Sequence, residues 1–459
     1  MEIKEKIKKL IPSFFLSFYY QFLPALGAFF YRFPSRLRRG SDGQAEKLKV
    51  IGITGTNGKS TVVDFVSKIL NEAGYKVASI SSIKFKIRDK EWQNNLKMTM
   101  PGRLSLQRFL RKAVDSGCQY AVLEVTSEGI KQFRHKFIDF DIAVFTNLTP
   151  EHIEAHGSFE NYRQAKAELF QATKGIQIIN LNDENSKYFL KFSSNQKFCY
   201  SLNNNLDTES LKIDCKLEIE NCKFIKAANV NTSFNRIDFV VKNIPFHLNL
   251  LGSFNVYNAL AAICVGLSQG IDLKICKKAL EKIKGIPGRM ETVIEKPFKV
   301  IVDYAHTPDA LEKVYRTLKT NNYQLKTARM ICVLGSCGGG RDKWKRPIFA
   351  KIAAKYCQQI ILTNEDPYSE DPLKILEDIE KGFSQIPNSK FQIPKYEKIL
   401  DRKEAINKAL SLAKPNDIVI ITGKGCEPWM CVAGGKKIPW DDRQVVREQL
   451  GELKIKSQK

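Results

Sequence analysis

The chain has no CxxC pair, no internal repeat and no low-complexity segment. It is also short of acid: 49 Asp and Glu stand against 73 Lys and Arg, a net charge of +24. Each shortage excludes something. Without paired spacings, the eleven cysteines read neither as a disulfide framework nor as a zinc site. Most, such as Cys264 and Cys332, lie inside apolar runs and fit small core residues in a reducing compartment. The acid deficit points to an anionic partner. The lysines are scattered rather than blocked, and no recognition helix, RNA-recognition or zinc-finger pattern is present. An anionic small molecule therefore fits better than nucleic acid.

Long apolar runs are scarce too. Residues 10–31, LIPSFFLSFYYQFLPALGAFFY, carry no charge and are long enough for a membrane span. Pro12, Gln21, Pro24 and Gly27 interrupt them. A secretory signal shares this form but conflicts with the ATP chemistry read below. Two readings remain. One is an interfacial anchor that places RFPSRLRR (32–39) near anionic headgroups on the inner face of the membrane. The other is a segment packed on the protein itself or on a partner.

What is present is α/β alternation. With 459 residues, 43% of them hydrophobic, the chain can form two or three packed domains. Strand patterns at 48–53, 76–83, 119–125, 141–146 and 176–180 alternate with helical patterns at 59–73, 103–116 and 158–173. The polar, Asn-rich stretch 185–250 reads as an antiparallel insertion, followed by helices at 254–269 and 272–284. KGIPGRME (284–291) reads as a hinge. Alternation then restarts, with strands near 299–302, 329–334, 359–363 and 417–421 and helices near 308–319, 345–356, 372–383, 401–413 and 441–450. The expected organisation is a short atypical N-terminal segment (1–47), a central P-loop domain with a mostly parallel sheet (48–286) and a Rossmann-like α/β domain (287–459).

The strand-to-helix junction VIGITGTNGKSTVVDF (50–65) reads as a phosphate cradle. In the commonest form a Gly stands five residues before the Gly that precedes the Lys; here that position is Ile53, so the loop is a shorter one. Backbone amides at a helix N-terminus favour anionic oxygens, Lys59 reaches terminal phosphates, and Ser60 or Thr61 suits Mg²⁺. Further along come MTMPGR (98–103), VLEVTSEG (122–129), TNLTPEHIEAHGSFENYRQAKAELF (146–170), LGSFNVYNALAA (251–262), GRME (288–291), VDYAHTPDAL (302–311), GSCGGGRDKWKRP (335–347), NEDPYSEDP (364–372) and GKGCEPW (423–429).

Together these motifs, from about residue 48 to 450, resemble the Mur ligase family, the ATP-dependent amide-forming enzymes of peptidoglycan precursor synthesis. The likeness is greatest to its tripeptide-synthetase branch, which adds the third amino acid to a UDP-N-acetylmuramoyl dipeptide. The shorter loop matches that family's GTNGK[ST]T signature. The resemblance implies ATP chemistry with two Mg²⁺ ions, the carboxylate of the acceptor being activated as an acyl phosphate in the cytoplasm. Gly55, Thr56, Asn57, Gly58, Lys59, Ser60 and Thr61 would bind ATP, joined by Asn255, Asn258, Arg289, Asp303 and His306. Ser60, Thr61, Glu124, His152 and Lys166 would serve two metal ions, Lys166 as a carbamate. Lys59, Lys166, His152 and Glu124 would be catalytic. Thr99, Pro101, Thr126, Ser127, Arg341, Asp366 and Glu427 would bind the substrates.

The departures from the family pattern concern substrate recognition. Only about 47 residues precede the loop strand, where relatives carry a uridine-nucleotide domain, so the acceptor is expected to be a UDP-linked or another carrier-linked muramyl peptide. Diaminopimelate enzymes resemble Asp-Asn-Pro-Arg where this chain has Glu365, Asp366, Pro367 and Tyr368. The missing Arg argues against a distal carboxylate, and the acids suit a lysine-like ammonium. Cys426 and Glu128 replace common histidines, and Met100 replaces a threonine. Other readings are a related ligase, of folylpolyglutamate synthase or cyanophycin synthetase type, or a membrane-docked ATP-binding scaffold.

Overall fold

The structure, a computed structural model, describes residues 13–36, 47–96, 98–202, 222–233, 235–320, 329–387 and 393–457. Two sheets organise the chain. The first has eleven strands. Its centre is β1 (Lys49–Thr54), flanked in parallel by β5 (Tyr120–Glu124) and β6 (Ile142–Phe145). On the β5 side follow β2 (Val77–Ile80) and a hairpin of β3 (Lys84–Ile87) and β4 (Lys90–Gln93). On the β6 side follow β7 (Ile176–Asn180), β8 (Gln196–Ser201), β9 (Cys222–Thr232), β10 (Ile237–Val241) and β11 (Ile244–Leu248).

The chain runs from β1 to β2 on one side, returns through β5 and then crosses β1 to β6 on the other, so the strand order reverses at β1. A crevice opens at that point beyond the strands' carboxyl ends, the usual place for a ligand in an open α/β sheet. The helix Lys59–Glu72 is fixed over the sheet because Val62, Val63, Phe65, Val66, Ile69 and Leu70 all face inward. Burying each contributes roughly 1.5–3 kcal/mol. The helix Phe254–Ser268 is apolar nearly all round and packs against it.

The second sheet holds β12 (Glu291–Ile294), β13 (Lys299–Asp303), β14 (Met330–Leu334), β15 (Gln359–Leu362), β16 (Lys395–Lys398) and β17 (Ile418–Thr422), in the order β12-β13-β17-β14-β15-β16. All its pairs are parallel except β12 with β13. A small hairpin of β18 (Trp429–Cys431) and β19 (Lys437–Pro439) lies apart.

Several expectations need adjustment. The stretch read as an antiparallel insertion is an extension of the first sheet: β8 pairs in parallel with β7 and β9, and only β9 to β11 run antiparallel. Residues 203–221 of it lie outside the described residues. The β3–β4 hairpin and the edge strands β12 and β16 escaped the sequence reading because their short polar patterns lack a buried period.

Ser13–Phe30 is one helix, with Pro24 inside it, and it packs on the helix Arg103–Asp115. Among the described residues no helix is long and apolar enough to cross a membrane, so the spanning reading does not hold for it. Residues 10–12 and 37–39 of the 10–39 segment lie outside the described residues. Cys332 is buried as expected, but it is bonded to Cys357, a disulfide that spacing alone did not suggest.

Candidate active site

The two sheets face one another across a cavity of about 730 Å³. The loop from Gly55 to Gly58 forms its floor. Gly55 (φ 149°) and Gly58 (φ 84°) adopt backbone conformations that a side chain resists. A Cβ on Gly58 would also collide with Asn258 Oδ1. The Asn57 amide donates to Asn147 Oδ1 (2.9 Å), and Thr146 Oγ1 and Asn147 Nδ2 donate back to the Asn57 carbonyl (2.8 and 3.0 Å). The segment after β6 thus braces the loop from below.

Lys59 opens the helix and bonds the Thr56 carbonyl (2.7 Å) while lying 4.0 Å from Glu124. Burial lowers its pKa, and Glu124 opposes that shift. Ser60 Oγ donates to Glu124 Oε2 (2.8 Å), which also accepts from the Ser82 amide (2.9 Å). Thr61 follows, buried, on the cavity wall. Hydroxyl and carboxylate oxygens placed together at a phosphate loop fit a hard cation that keeps waters and phosphate oxygens as its other ligands. Among the described residues no trio of His, Cys, Asp and Glu forms a cage of its own.

Lys166 is buried, donates to the Gly55 carbonyl (2.7 Å) and lies over the Tyr162 ring, 4.5 Å from its centre. Burial, and then the neighbouring Lys59 charge, push its pKa well below that of a free lysine. Tyr162 meets Thr56 Oγ1 at 3.1 Å. Lys166 is therefore an amine held under the loop and biased toward its neutral form.

His152 adopts a left-handed backbone (φ 57°). Its Nδ1 lies 3.2 Å from Arg341 Nη1, and Arg341 also reaches Glu128 at 3.4 Å. Burial and then Arg341 lower the His152 pKa. His152 and Glu124 line the same cavity, but His152 is turned toward the second sheet's loop. That loop bears on the first sheet's side at further points: Asp342 accepts from the Ile153 and Glu154 amides (3.2 and 3.0 Å), and Lys345 is ion-paired with Glu151 (2.6 Å).

The remaining expected residues fall on the walls. Asn255 bonds the Leu251 carbonyl (2.7 Å) and accepts from Asn258 (2.9 Å), side by side on their helix. Arg289 stacks over Tyr304 (4.3 Å) and reaches Ser82 Oγ (3.4 Å). Asp303, at the end of β13, accepts from the Met290 and Ala305 amides (both 2.6 Å), and burial raises its pKa. His306 Nδ1 meets the Tyr304 carbonyl (2.8 Å), and burial lowers its pKa. Thr126 caps the short helix Ser127–Lys131 by accepting from the Gly129 amide (3.1 Å). Thr99 and Ser127 line the cavity, whereas Pro101 is buried behind it.

At the far end Asp366 is gripped by Lys424 Nζ (3.0 and 2.9 Å) and by the Cys431 amide (2.7 Å). Lys424, fully buried, also reaches Glu427 (2.5 Å), which accepts from Tyr304 OH (3.0 Å). The Asp366 charge, read in the sequence as open to a substrate ammonium, is thus already partnered from within the chain. Glu365 accepts from Cys337 Sγ (3.0 Å), and burial raises its pKa. The sequence reading missed Ser82, Glu151, Tyr304, Lys345 and Lys424. All but Ser82 lay inside quoted motifs; what was lacking was a sign of their pairing.

The family model described as Mur ligase middle domain matches residues 53–266, and the one described as Mur ligase, glutamate ligase domain matches 288–425. A UDP-N-acetylmuramoyl-L-alanyl-D-glutamate--2,6-diaminopimelate ligase of Syntrophomonas wolfei subsp. wolfei is 36% identical over 411 residues, 88% of this chain and 79% of its own. The protein of that name from Halalkalibacterium halodurans is 38% identical over 413 residues, again 88% and 79%. A solved structure of a ligase with this name is 31% identical, covers 89% of this chain and 79% of its own, and has a TM-score of 0.56.

Proposed function

The chain belongs to the Mur ligase family, and from that premise we propose how its residues carry an ATP-dependent amide ligation of peptidoglycan precursor synthesis. The observation that carries the assignment is convergence. The phosphate loop, the Ser60–Glu124 pair, the buried Lys166 amine and Arg289 from the second sheet's side all line one cavity. Such a site suits two polyanions brought together out of water.

The acceptor carboxylate attacks the γ-phosphorus of ATP, and the γ-phosphorus–oxygen bond to ADP breaks. An amino acid's amine then attacks the acyl carbon and expels phosphate. Lys59 and the amides at the start of its helix hold the phosphates and offset the charge that spreads over the transferring group. Asn255 and Asn258 support the nucleotide, with Arg289, Asp303 and His306 meeting it from the other side. Ser60, Thr61 and Glu124 would hold Mg²⁺, which neutralises phosphate charge when bound, and His152, whose Nδ1 here faces Arg341, would join them on turning its ring. Lys166, neutral-biased, would serve the same ion as a carbamate, formed by adding carbon dioxide at Nζ with loss of a proton. The contacts of Arg341, Asp342 and Lys345 with the first sheet's side exclude water from the acyl phosphate.

Thr99, Pro101, Thr126 and Ser127 lie on the acceptor side. The amino acid enters beside Asp366, Tyr368 and Glu427. With Tyr368 at the position of the diaminopimelate enzymes' Arg, the amino acid is one without a distal carboxylate, such as L-lysine, though Asp366, paired with Lys424, does not supply the acid for its ammonium. The acceptor is a UDP-linked or similar carrier-linked muramyl dipeptide, and the reaction belongs to the cytoplasm, where ATP and these precursors meet.

The experiment is ADP and phosphate release with Mg-ATP and UDP-N-acetylmuramoyl-L-alanyl-D-glutamate, surveyed across L-lysine, L-ornithine, meso-diaminopimelate and the common amino acids, with product masses. Turnover with L-lysine is expected. Turnover with diaminopimelate alone overturns the reading of Tyr368. No turnover with any of them, from protein that binds ATP, moves the acceptor to another carrier.

A further inference from the structure

The helix Ser13–Phe30 lies on the body of the protein, not apart from it. Its Gly27 sits so close to the helix Arg103–Asp115 that an added Cβ would fall 3.0 Å from Leu104 Cδ2. Pro24, Gly27 and Ala28 are buried there. Just beyond its end, Ser35 accepts from the Asp139 amide (3.1 Å) and Arg36 pairs with the Asp139 carboxylate (3.1 Å). The helix is thus held on one face and at its exit.

Among its described side chains, residues 22–30, the opposite face is apolar and exposed. Leu26, Phe29 and Phe30 recur at helical spacing, and Phe29 and Phe30 are 73% and 74% exposed. On the neighbouring helix Leu104, which meets Gly27, is also exposed. Large apolar side chains grouped on a surface mark a contact site. The next turns of that neighbouring helix present Arg108 and Lys112, both exposed, and Arg32 is exposed at the end of the first helix. The acids Asp115 and Asp139 on this side are each held by an arginine. Exposed cationic and apolar side chains thus occur together on these two packed helices, the composition of a surface-lying membrane element. In the loop before that neighbouring helix, exposed Met98 lines the cavity, and Arg134 reaches Met98 Sδ (3.3 Å) and the Met100 carbonyl.

We propose that this face docks on an anionic lipid bilayer, with Leu26, Phe29 and Phe30 inserted among the acyl chains and Arg32, Arg108 and Lys112 on the headgroups.

The test is co-sedimentation of the full chain with phosphatidylglycerol-containing vesicles and with pure phosphatidylcholine vesicles, at low and high salt. Binding is expected to the anionic vesicles, weakened by salt. Phe29→Asp/Phe30→Asp and, separately, Arg108→Glu/Lys112→Glu are each expected to weaken it by about tenfold or more. Melting temperature and phosphate release with soluble substrates should be unchanged in both variants. Absence of vesicle binding overturns the proposal, as does binding that the Phe29→Asp/Phe30→Asp change leaves intact. A concentration-dependent dimer that this change dissolves, without vesicle binding, assigns the face to a second copy and likewise overturns it.

Discussion

Lys345 and Glu151 form an ion pair 2.6 Å long, each 3% exposed, that joins the loop after β14 to the segment after β6. Lys345 also donates to the His306 carbonyl (2.9 Å). Removing one partner leaves a buried charge uncompensated, which typically costs about 3–5 kcal/mol, whereas replacing both with apolar groups costs far less. Lys345→Met should lower the urea midpoint sharply, and Glu151→Leu/Lys345→Met should recover more than half of the loss. Equal loss in both variants would show that the pair itself carries the stability.

Gly58 tests the loop. At φ 84° any side chain costs about 1–2 kcal/mol, and its Cβ would displace Asn258. Gly58→Ala should remain folded by circular dichroism yet lose ATP affinity in calorimetry. Unchanged affinity would place the phosphates elsewhere.

Lys166 tests the carbamate. Its pKa is lowered by burial, so the unfolded chain binds more protons between that lowered value and 10.5, and stability rises with pH through the window. Lys166→Met should remove that slope and raise stability near neutrality. It should also cut phosphate release by about a hundredfold or more. Carbon-13 bicarbonate should give a carbamate resonance in the native protein and none in the variant.

Histidine protonation sets the acid limit. Burial holds His306 well below its unperturbed 6.5, so it stays neutral when folded. The unfolded state takes up the proton below pH 6.5. Stability is therefore full above that pH and falls below it, by up to about 1.4 kcal/mol per pH unit. His152 is shifted the same way. Denaturation across pH 4–7 should show the loss, and His306→Asn should flatten part of it.

Tyr368 tests amino-acid choice. Its amide donates to the Cys431 carbonyl (3.1 Å), which fixes the side chain's root beside Asp366. Tyr368→Arg supplies a charged donor worth roughly 1.5–3 kcal/mol to a distal carboxylate. The kcat/KM ratio of diaminopimelate to L-lysine should rise by about tenfold or more. No change would put specificity elsewhere in the wall.

Much of the site was legible because its chemistry is local. Gly55 to Thr61 need only a strand before them and a helix after, and both announce themselves in residues 50–65 by apolar period. Lys166 was legible only through its motif, since its helical pattern is that of an ordinary surface lysine. Its burial comes from the loop carbonyl of Gly55, 111 residues away in sequence. The partner of Asp366 was hidden for the same kind of reason: Lys424, 58 residues on, bonds its carboxylate, and no spacing rule links the two.

The sequence by itself determined the alternation of strands and helices, the shorter phosphate loop and the order of the motifs, because backbone propensity and side-chain period act over a few residues. Only the tertiary structure decided which charges are spent internally, which way His152 turns, that β9 to β11 extend the first sheet, and that the Ser13–Phe30 helix lies on the body with an aromatic face outward. Those outcomes depend on partners brought together by long-range packing, where burial and pairing, not local preference, set the free energy.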